Sequence, residues 1–438
     1  MPSPRALVIG LDGVPHSLLR RLLGEGVLPH FARLVERGSL GEMRTSLPPI
    51  SNVAWTSFAT GRNPAKHGVY GFTDRRAGTY ELAFPNSGDI RAETIWEHLA
   101  RHGKRSVVIN VPGTYPARPM NGVLVAGFVA VKLERAVHPP AALAPLQQMG
   151  YRVDVDASIA RTDKARFFDE LYTTHERRAA AFRHFMTTEA WDLAVAIVTG
   201  TDRLMHWCWD AVEDPRNPLA DRALEYFRRV DATIGDLVSI AGEGTAVLGL
   251  SDHGFCGIRQ EVFLNRWLVE RGYARFRTEA PTTIADLDPA ATRAYAMDPG
   301  RIYVNVRGRE PQGIVAPEEA SALAGEIASA LAKLEDGGAP AIERVWTREE
   351  AYRGPLAAKG PDLVAIGRRG YDLKGNVSSK EVFRKGDLTG MHTWDDAFAF
   401  TTEGRVPEGG ADIVDLFPTV CRALGVPVPD DVDGKAFF

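Results

Sequence analysis

Cysteine is scarce in this chain: there are three in 438 residues, Cys208, Cys256 and Cys421, odd in number and far apart. That excludes a disulfide framework and a zinc knuckle, and it suits buried thiols in a reducing compartment. Long hydrophobic runs are also lacking. None approaches the roughly 20 apolar residues needed to cross a bilayer, so no membrane-spanning or membrane-anchored protein is expected. The apolar run at residues 6–11 is too short for the hydrophobic region of a signal peptide, and a cytoplasmic location is expected. Neither acidic nor basic residues predominate, at 56 against 52. The net charge is −4, and Lys and Arg form no stripe, which excludes a surface built for a nucleic-acid polymer.

What is present is the composition of an ordinary globular chain, 45% hydrophobic and 25% charged. Short β-rich runs at residues 6–11, 106–111, 193–198, 245–250 and 362–366 alternate with helical patterns at 18–37, 93–102 and 164–186. This alternation predicts an α/β fold, a mainly parallel sheet covered by helices. From 261 to about 385 the texture changes to a short helical run, a strand-like segment at 301–306, an Ala-rich helix at 317–334 and a Gly-rich stretch. We read 1–438 as one catalytic domain and 261–385 as an accessory region inserted within it. Residues 412–424 read as a last amphipathic helix closed by Gly425 and Pro427. No internal repeat is present.

The informative positions are the strand ends. Three apolar runs finish with an acid: Asp12, Asp202 and Asp252. Parallel strands bring their carboxyl ends to one edge, where ligands bind in open α/β sheets, so the three can converge. Crowded carboxylates repel, and a cation is the simplest way to hold them. His206 follows Asp202 by one helical turn, His253 follows Asp252 directly, and the Gly390-Met391-His392-Thr393-Trp394-Asp395 loop supplies His392. This mixture of imidazole and carboxylate favours Zn²⁺, then Mn²⁺, over Ca²⁺ or Mg²⁺.

Ser51 follows Pro48-Pro49-Ile50 at the mouth of a predicted helix, where unpaired N–H groups and the dipole favour a phosphate oxygen. A hydroxyl beside a metal ion can act as a nucleophile without a histidine base. Each residue taken singly has a plainer account. An Asp at a strand end or a Ser at a helix start is ordinarily a cap, His206 a packing residue and His392 a loop residue. Joint occurrence favours the site. For His67 the plain account is preferred, a hydrogen bond to the turn before Gly68. Trp207 and Trp209 read as core. Asp395 and Asp396 are expected to orient His392 or cap a helix, and Arg203 and Lys66 read as surface charges as readily as phosphate holders. The run Gly249-Leu250-Ser251-Asp252-His253 begins like a nucleophile elbow but lacks its second glycine.

Taken together, the pattern resembles the type I phosphodiesterase and nucleotide pyrophosphatase branch of the alkaline phosphatase superfamily, nearly end to end. The resemblance rests on Asp12-Gly13, Ser51 with Ala59-Thr60-Gly61, Asn63-Pro64 with His67-Gly68, Thr201-Asp202-Arg203 with His206, Ser251-Asp252-His253-Gly254, and His392. It implies that Asp202, His206 and His392 hold one divalent metal ion and that Asp12, Asp252 and His253 hold a second, which Ser51 also touches. It further implies in-line attack by Ser51, a phosphoserine intermediate and a small-molecule phosphoester as substrate. The sulfatase branch is disfavoured, because Val53 and Trp55 stand where its signature has Pro and Arg. Nucleotide pyrophosphatases usually carry a Thr nucleophile and an Asn three residues on. Here these are Ser51 and Ala54, leaving Asn52 as the candidate to hold a phosphate oxygen. Two other readings stay open: a phosphomutase or phosphonate hydrolase on the same core, and a non-enzymatic binding protein.

Overall fold

The computed structural model describes residues 4–438. The chain forms two compact units, one comprising residues up to Arg62 with Asn86–Phe255 and Asp387–Phe438, the other Asn63–Pro85 with Cys256–Gly386.

The first unit is built on a nine-stranded sheet. In spatial order its strands are Ala411–Asp412, Ser39–Arg44, Ala397–Thr401, Thr245–Leu250, Arg5–Leu11, Leu193–Val198, Ser106–Ile109, Gly122–Val125 and Val137–His138. The five from Thr245–Leu250 to Gly122–Val125 run parallel. Antiparallel pairs flank them on both sides. The central strands are continuously apolar because helices cover both faces. On Arg5–Leu11 the side chains alternate between two cores: Leu7, Ile9 and Leu11 meet the long helices Lys164–Thr188 and Ala220–Ala241, while Ala6 and Val8 meet Ser51–Thr60, Ile95–Arg101 and Leu416–Ala423.

Two expectations are corrected. The pattern at 18–37 is two helices, His16–Gly24 and Pro29–Val35, because Gly26 takes φ +70° and Pro29 opens the second. The run at 362–366 is a strand, Leu363–Gly367, but it lies antiparallel in a four-stranded sheet of the second unit with Arg301–Val304 and Ile342–Thr347. That unit has its own core, formed by this sheet with the helix Ala320–Leu331 and the strands Gln260–Phe263 and Tyr371–Lys374. Among the described residues no helix is long and apolar enough to cross a membrane.

Register places the site. Leu11 lies opposite Val198, and Gly10 opposite Leu250, so Asp12, Thr199 and Ser251 all leave the sheet at one edge. The helix Ser51–Thr60, buried at all ten residues, is seated on the same strand through Trp55. A Cβ at Gly10 would lie 2.4 Å from Trp55 Cη2 and 2.5 Å from Ile197 Cδ1, so this strand can carry no side chain there. We therefore expect Gly10→Ala to destabilise the fold by about 1–3 kcal/mol through overpacking. Urea unfolding would show this as a lowered midpoint with an unchanged slope, and an unshifted midpoint would refute the packing account.

Candidate metal centre and nucleophile

Each site residue is set in place by the element it ends or begins. Asp12 is the first residue past its strand, and its N–H donates to Val198 O of the neighbouring strand at 3.0 Å. Asp202 and His206 lie one turn apart on the helix Gly200–Glu213. Asp252 and His253 form the turn after Thr245–Leu250, where Asp252 Oδ1 accepts the N–H of Gly13 at 2.9 Å. Gly13 has φ +73°, and a Cβ there would stand 3.1 Å from the His253 ring, so the turn requires glycine. His392 sits on the short strand Gly390–Thr393, which is tied to the His206 helix by Thr389 N–H donating to His206 O at 2.8 Å.

The side chains converge in two overlapping groups. Asp202, His206 and His392 form the first: His392 Nε2 lies 2.9 Å from His206 Nε2 and 3.1 Å from Asp202 Oδ1, with His206 Nε2 3.3 Å from that oxygen. Asp12, Asp202 and His253 form the second compact group. There His253 Nε2 lies 3.7 Å from Asp12 Oδ1, 3.9 Å from Asp202 Oδ1 and 3.4 Å from Asp252 Oδ2. Asp202 is thus common to both groups, whereas the family resemblance implies it for the first alone, and Asp252 stands beside the second. Ser51, the first residue of its helix, places Oγ 3.3 Å from His253 Nε2 and 3.4 Å from Asp12 Oδ1. All seven predicted residues therefore meet. Asn52 is buried next to Ser51 and faces Gly113, where a Cβ would lie 2.6 Å from Asn52 Oδ1.

The electrostatics of this cluster fit a cation. Each histidine donates its Nδ1 proton to a backbone carbonyl: His206 to Gly390, His253 to Gly254 and His392 to Pro49. A carbonyl can only accept, so each neutral ring keeps a bare lone pair on Nε2, and two of these face each other at 2.9 Å. Burial holds the His253 imidazole down at about 4, with the neighbouring His392 adding to the effect. Burial, then the charges of Asp252 and Asp202, drives Asp12 well above the usual carboxyl range. Burial opposes ionisation of Asp202 too, but a proton at the Nε2 edge shared by His206 and His392, with Arg203, outweighs it and holds that carboxyl well below its usual value. Asp252 Oδ2 is buried without a hydrogen-bond partner. Lone pairs, anionic oxygens and an orphaned acceptor on one point are a donor set for a divalent metal ion.

Residues 6–395 match the family described as type I phosphodiesterase / nucleotide pyrophosphatase. The chain belongs to that family. Membership makes this phosphodiesterase-family chain a metal-dependent phosphohydrolase. Among solved structures it is similar to phosphonoacetate hydrolase from Sinorhizobium meliloti, with TM-score 0.65 and 18% identity over 97% of this chain and 96% of that one. It is also similar to murine ectonucleotide pyrophosphatase / phosphodiesterase 5, with TM-score 0.58 and 15% identity over 98% and 97% of the two chains. The latter has also been solved as an inactive variant in complex with AMP. No curated protein matches.

Several residues around the phosphodiesterase-family site carry no sequence signal for it. Trp55 Nε1 donates to Asp12 Oδ2 at 3.1 Å, locking the helix that begins at Ser51 to the first carboxylate. Phe255 backs the histidines, with ring centroids 4.8 Å from His206 and 5.2 Å from His392, and Trp209 stacks behind it. Arg203 is no surface charge: Nη1 donates to Asp202 Oδ2 at 2.6 Å, and Nε and Nη2 to Asp154 at 3.0 and 2.8 Å. Asp396 caps the His16–Gly24 helix through Ser17. His67 accepts the N–H of Val69 at 3.2 Å in the second unit, a contact just past Gly68 and not in the turn before it.

Burial, reinforced by the charge of Asp202, raises the Asp252 carboxyl to about 7, against an unfolded value of about 3.9. The metal-free folded state therefore holds a proton that the unfolded chain has lost between these values. Its contribution to stability falls as pH rises from about 4 to about 7 and stays lost above. In the presence of chelator, Asp252→Asn should be the more stable protein at pH 8, by on the order of a few kcal/mol, with the difference closing toward pH 4. Urea unfolding across that range tests this, and a variant-minus-wild-type difference that ignores pH would contradict it.

Proposed function

We propose that this chain hydrolyses a small-molecule phosphodiester or pyrophosphate through a phosphoserine formed on Ser51. Asp202, His206 and His392 would hold one divalent ion, and Asp12, Asp252 and His253 the other, next to Ser51. The observation that carries this reading is the meeting of three bare imidazole Nε2 atoms with three buried carboxylates, with Ser51 Oγ 3.3 Å from His253 Nε2. The donor set supports Zn²⁺ over Mn²⁺. When bound, the ions supply Lewis acidity at the serine oxygen and at the departing oxygen.

The chain's own residues do the rest. Ser51 Oγ attacks phosphorus in line, so the bond from phosphorus to Oγ forms as the bond to the leaving oxygen breaks and its electron pair departs with that oxygen. Ser51 Oγ stands 3.3 Å from His253 Nε2 and 3.4 Å from Asp12 Oδ1, so the hydroxyl lies beside any ion those two groups hold, which favours loss of its proton to water. The start of the Ser51–Thr60 helix presents N–H groups to a phosphate oxygen. Asn52, the next residue, is our candidate to hold a second oxygen in place of the asparagine that Ala54 replaces. Water then cleaves the phosphoserine and the hydroxyl regains its proton. Trp55 and Phe255 hold the acid and the imidazoles at fixed positions throughout.

We assign residues 261–385 as the accessory region of this catalytic domain. The three free cysteines, two of them buried, support a cytoplasmic location. The same metal core supports a second reading, cleavage of a C–P bond, the reaction for which the Sinorhizobium meliloti protein of this fold is named.

With Zn²⁺ or Mn²⁺ supplied, we expect turnover of bis-p-nitrophenyl phosphate to exceed that of p-nitrophenyl phosphate and phosphonoacetate. Ser51→Ala should lower kcat by roughly 10³-fold or more while keeping about two ions per chain. Turnover unchanged by Ser51→Ala removes the phosphoserine. Phosphonoacetate as the preferred substrate selects the second reading, and protein inactive with every ion and substrate favours a binding role.

A further inference from the structure

Asp202 divides its two oxygens. Oδ1 faces His392, His206 and His253, at 3.1, 3.3 and 3.9 Å, and so serves both groups. Oδ2 is taken by Arg203 Nη1 at 2.6 Å. A guanidinium on a prospective metal ligand is a mixed benefit: it fixes the carboxylate's rotation but places a full positive charge where cations must bind. The structure contains a remedy. Asp154 Oδ2 accepts both Nε and Nη2 of Arg203, at 3.0 and 2.8 Å, in the forked geometry specific to arginine. Phe128 covers the guanidinium, with Arg203 Cζ 4.4 Å from the ring centre. Asp154 is itself held from behind by buried Arg178, whose Nη2 donates to both Asp154 Oδ1 and Val153 O, while Nε donates to Arg152 O and Nη1 to Thr199 Oγ1 at 2.7 Å. Thr199 stands at the end of the strand Leu193–Val198 that leads into Asp202.

We propose that Arg203 and Asp154 are positioning residues that together set the metal affinity of both groups through Asp202. Arg203 aims Oδ1, and Asp154 cancels the charge that Arg203 brings. The inference rests on the two-ion reading above and names residues that reading does not use. Arg178 anchors the pair to the sheet. Neither residue is a catalytic residue, because each acts only through the Asp202 carboxylate.

Three consequences separate this from a merely structural role. First, Asp154→Asn keeps the side chain's shape but leaves a guanidinium uncompensated beside Asp202, so affinity for Zn²⁺ should fall by about 10–100-fold. Its melting temperature in chelator should also fall, because buried Arg178 loses its carboxylate partner, so the deciding reading is the Zn²⁺ affinity of the folded chain. Secondly, the two residues act as one device: Arg203→Met should weaken Zn²⁺ binding, but Arg203→Met with Asp154→Asn should be no weaker than Arg203→Met alone. Thirdly, Arg203→Lys keeps the charge without the fork and should not restore wild-type affinity.

The experiment is a calorimetric or competitive-chelator titration of the full chain with Zn²⁺, comparing wild type, the three single variants and the double variant, with melting curves of each in chelator. Wild type binding two ions, Asp154→Asn binding both more weakly and the double variant matching Arg203→Met would support the proposal. Wild-type affinity in Asp154→Asn, or losses that add in the double variant, would overturn it and leave the two-ion reading intact. A wild-type chain that takes up no Zn²⁺ or Mn²⁺ would overturn both.

Discussion

The constraint on which this structure turns is repulsion among buried like charges. Asp12, Asp202 and Asp252 leave adjacent parallel strands at one sheet edge, each almost wholly shielded from water. No arrangement of neutral packing makes such a cluster comfortable, and the protein answers with oriented dipoles. Three imidazoles turn their lone pairs inward because backbone carbonyls hold their protons outward. One indole, one backbone N–H and the Arg203 guanidinium restrain the carboxylates. Everything that remains unmatched points to the centre.

The sheet explains why the donors are so far apart in sequence yet so close in space. A parallel strand can deliver one loop to the edge and must then return through a helix, so each crossover contributes one or two functional side chains. The first strand gives Asp12, the Leu193–Val198 crossover gives Asp202 and His206, and the Thr245–Leu250 strand gives Asp252 and His253. Ser51 arrives differently, on a helix buried at every residue, and its place depends on the gap at Gly10 that admits the Trp55 ring.

How much of this could be read from residues alone differs by layer. The acids were legible because an apolar run ending in Asp is a local pattern that the sheet preserves, and His206 because one helical turn is a local distance. His392 was legible through family resemblance and its glycine-bounded loop. The surrounding shell was not. Trp55 reads as core until the indole nitrogen is seen against Asp12, and Phe255 looks like any buried aromatic. Asp154 is joined to Arg203 only by tertiary folding. In the fold, the strand at 362–366 had the right composition, but strand direction is set by its pairing partners, which composition does not encode. The break within 18–37 was written in Gly26 and Pro29 and outweighed by helical periodicity on either side.

The bond from His392 to the carbonyl of Pro49 joins residues 343 positions apart, at the residue pair just before Ser51. Synthesis runs from Asp12 and Ser51 toward His392, so a nascent chain holds an incomplete donor set until that residue has been made. The final imidazole and the carbonyl that orients it come together only in the finished fold. The centre is thereby completed by a contact that no single stretch of the sequence can make on its own.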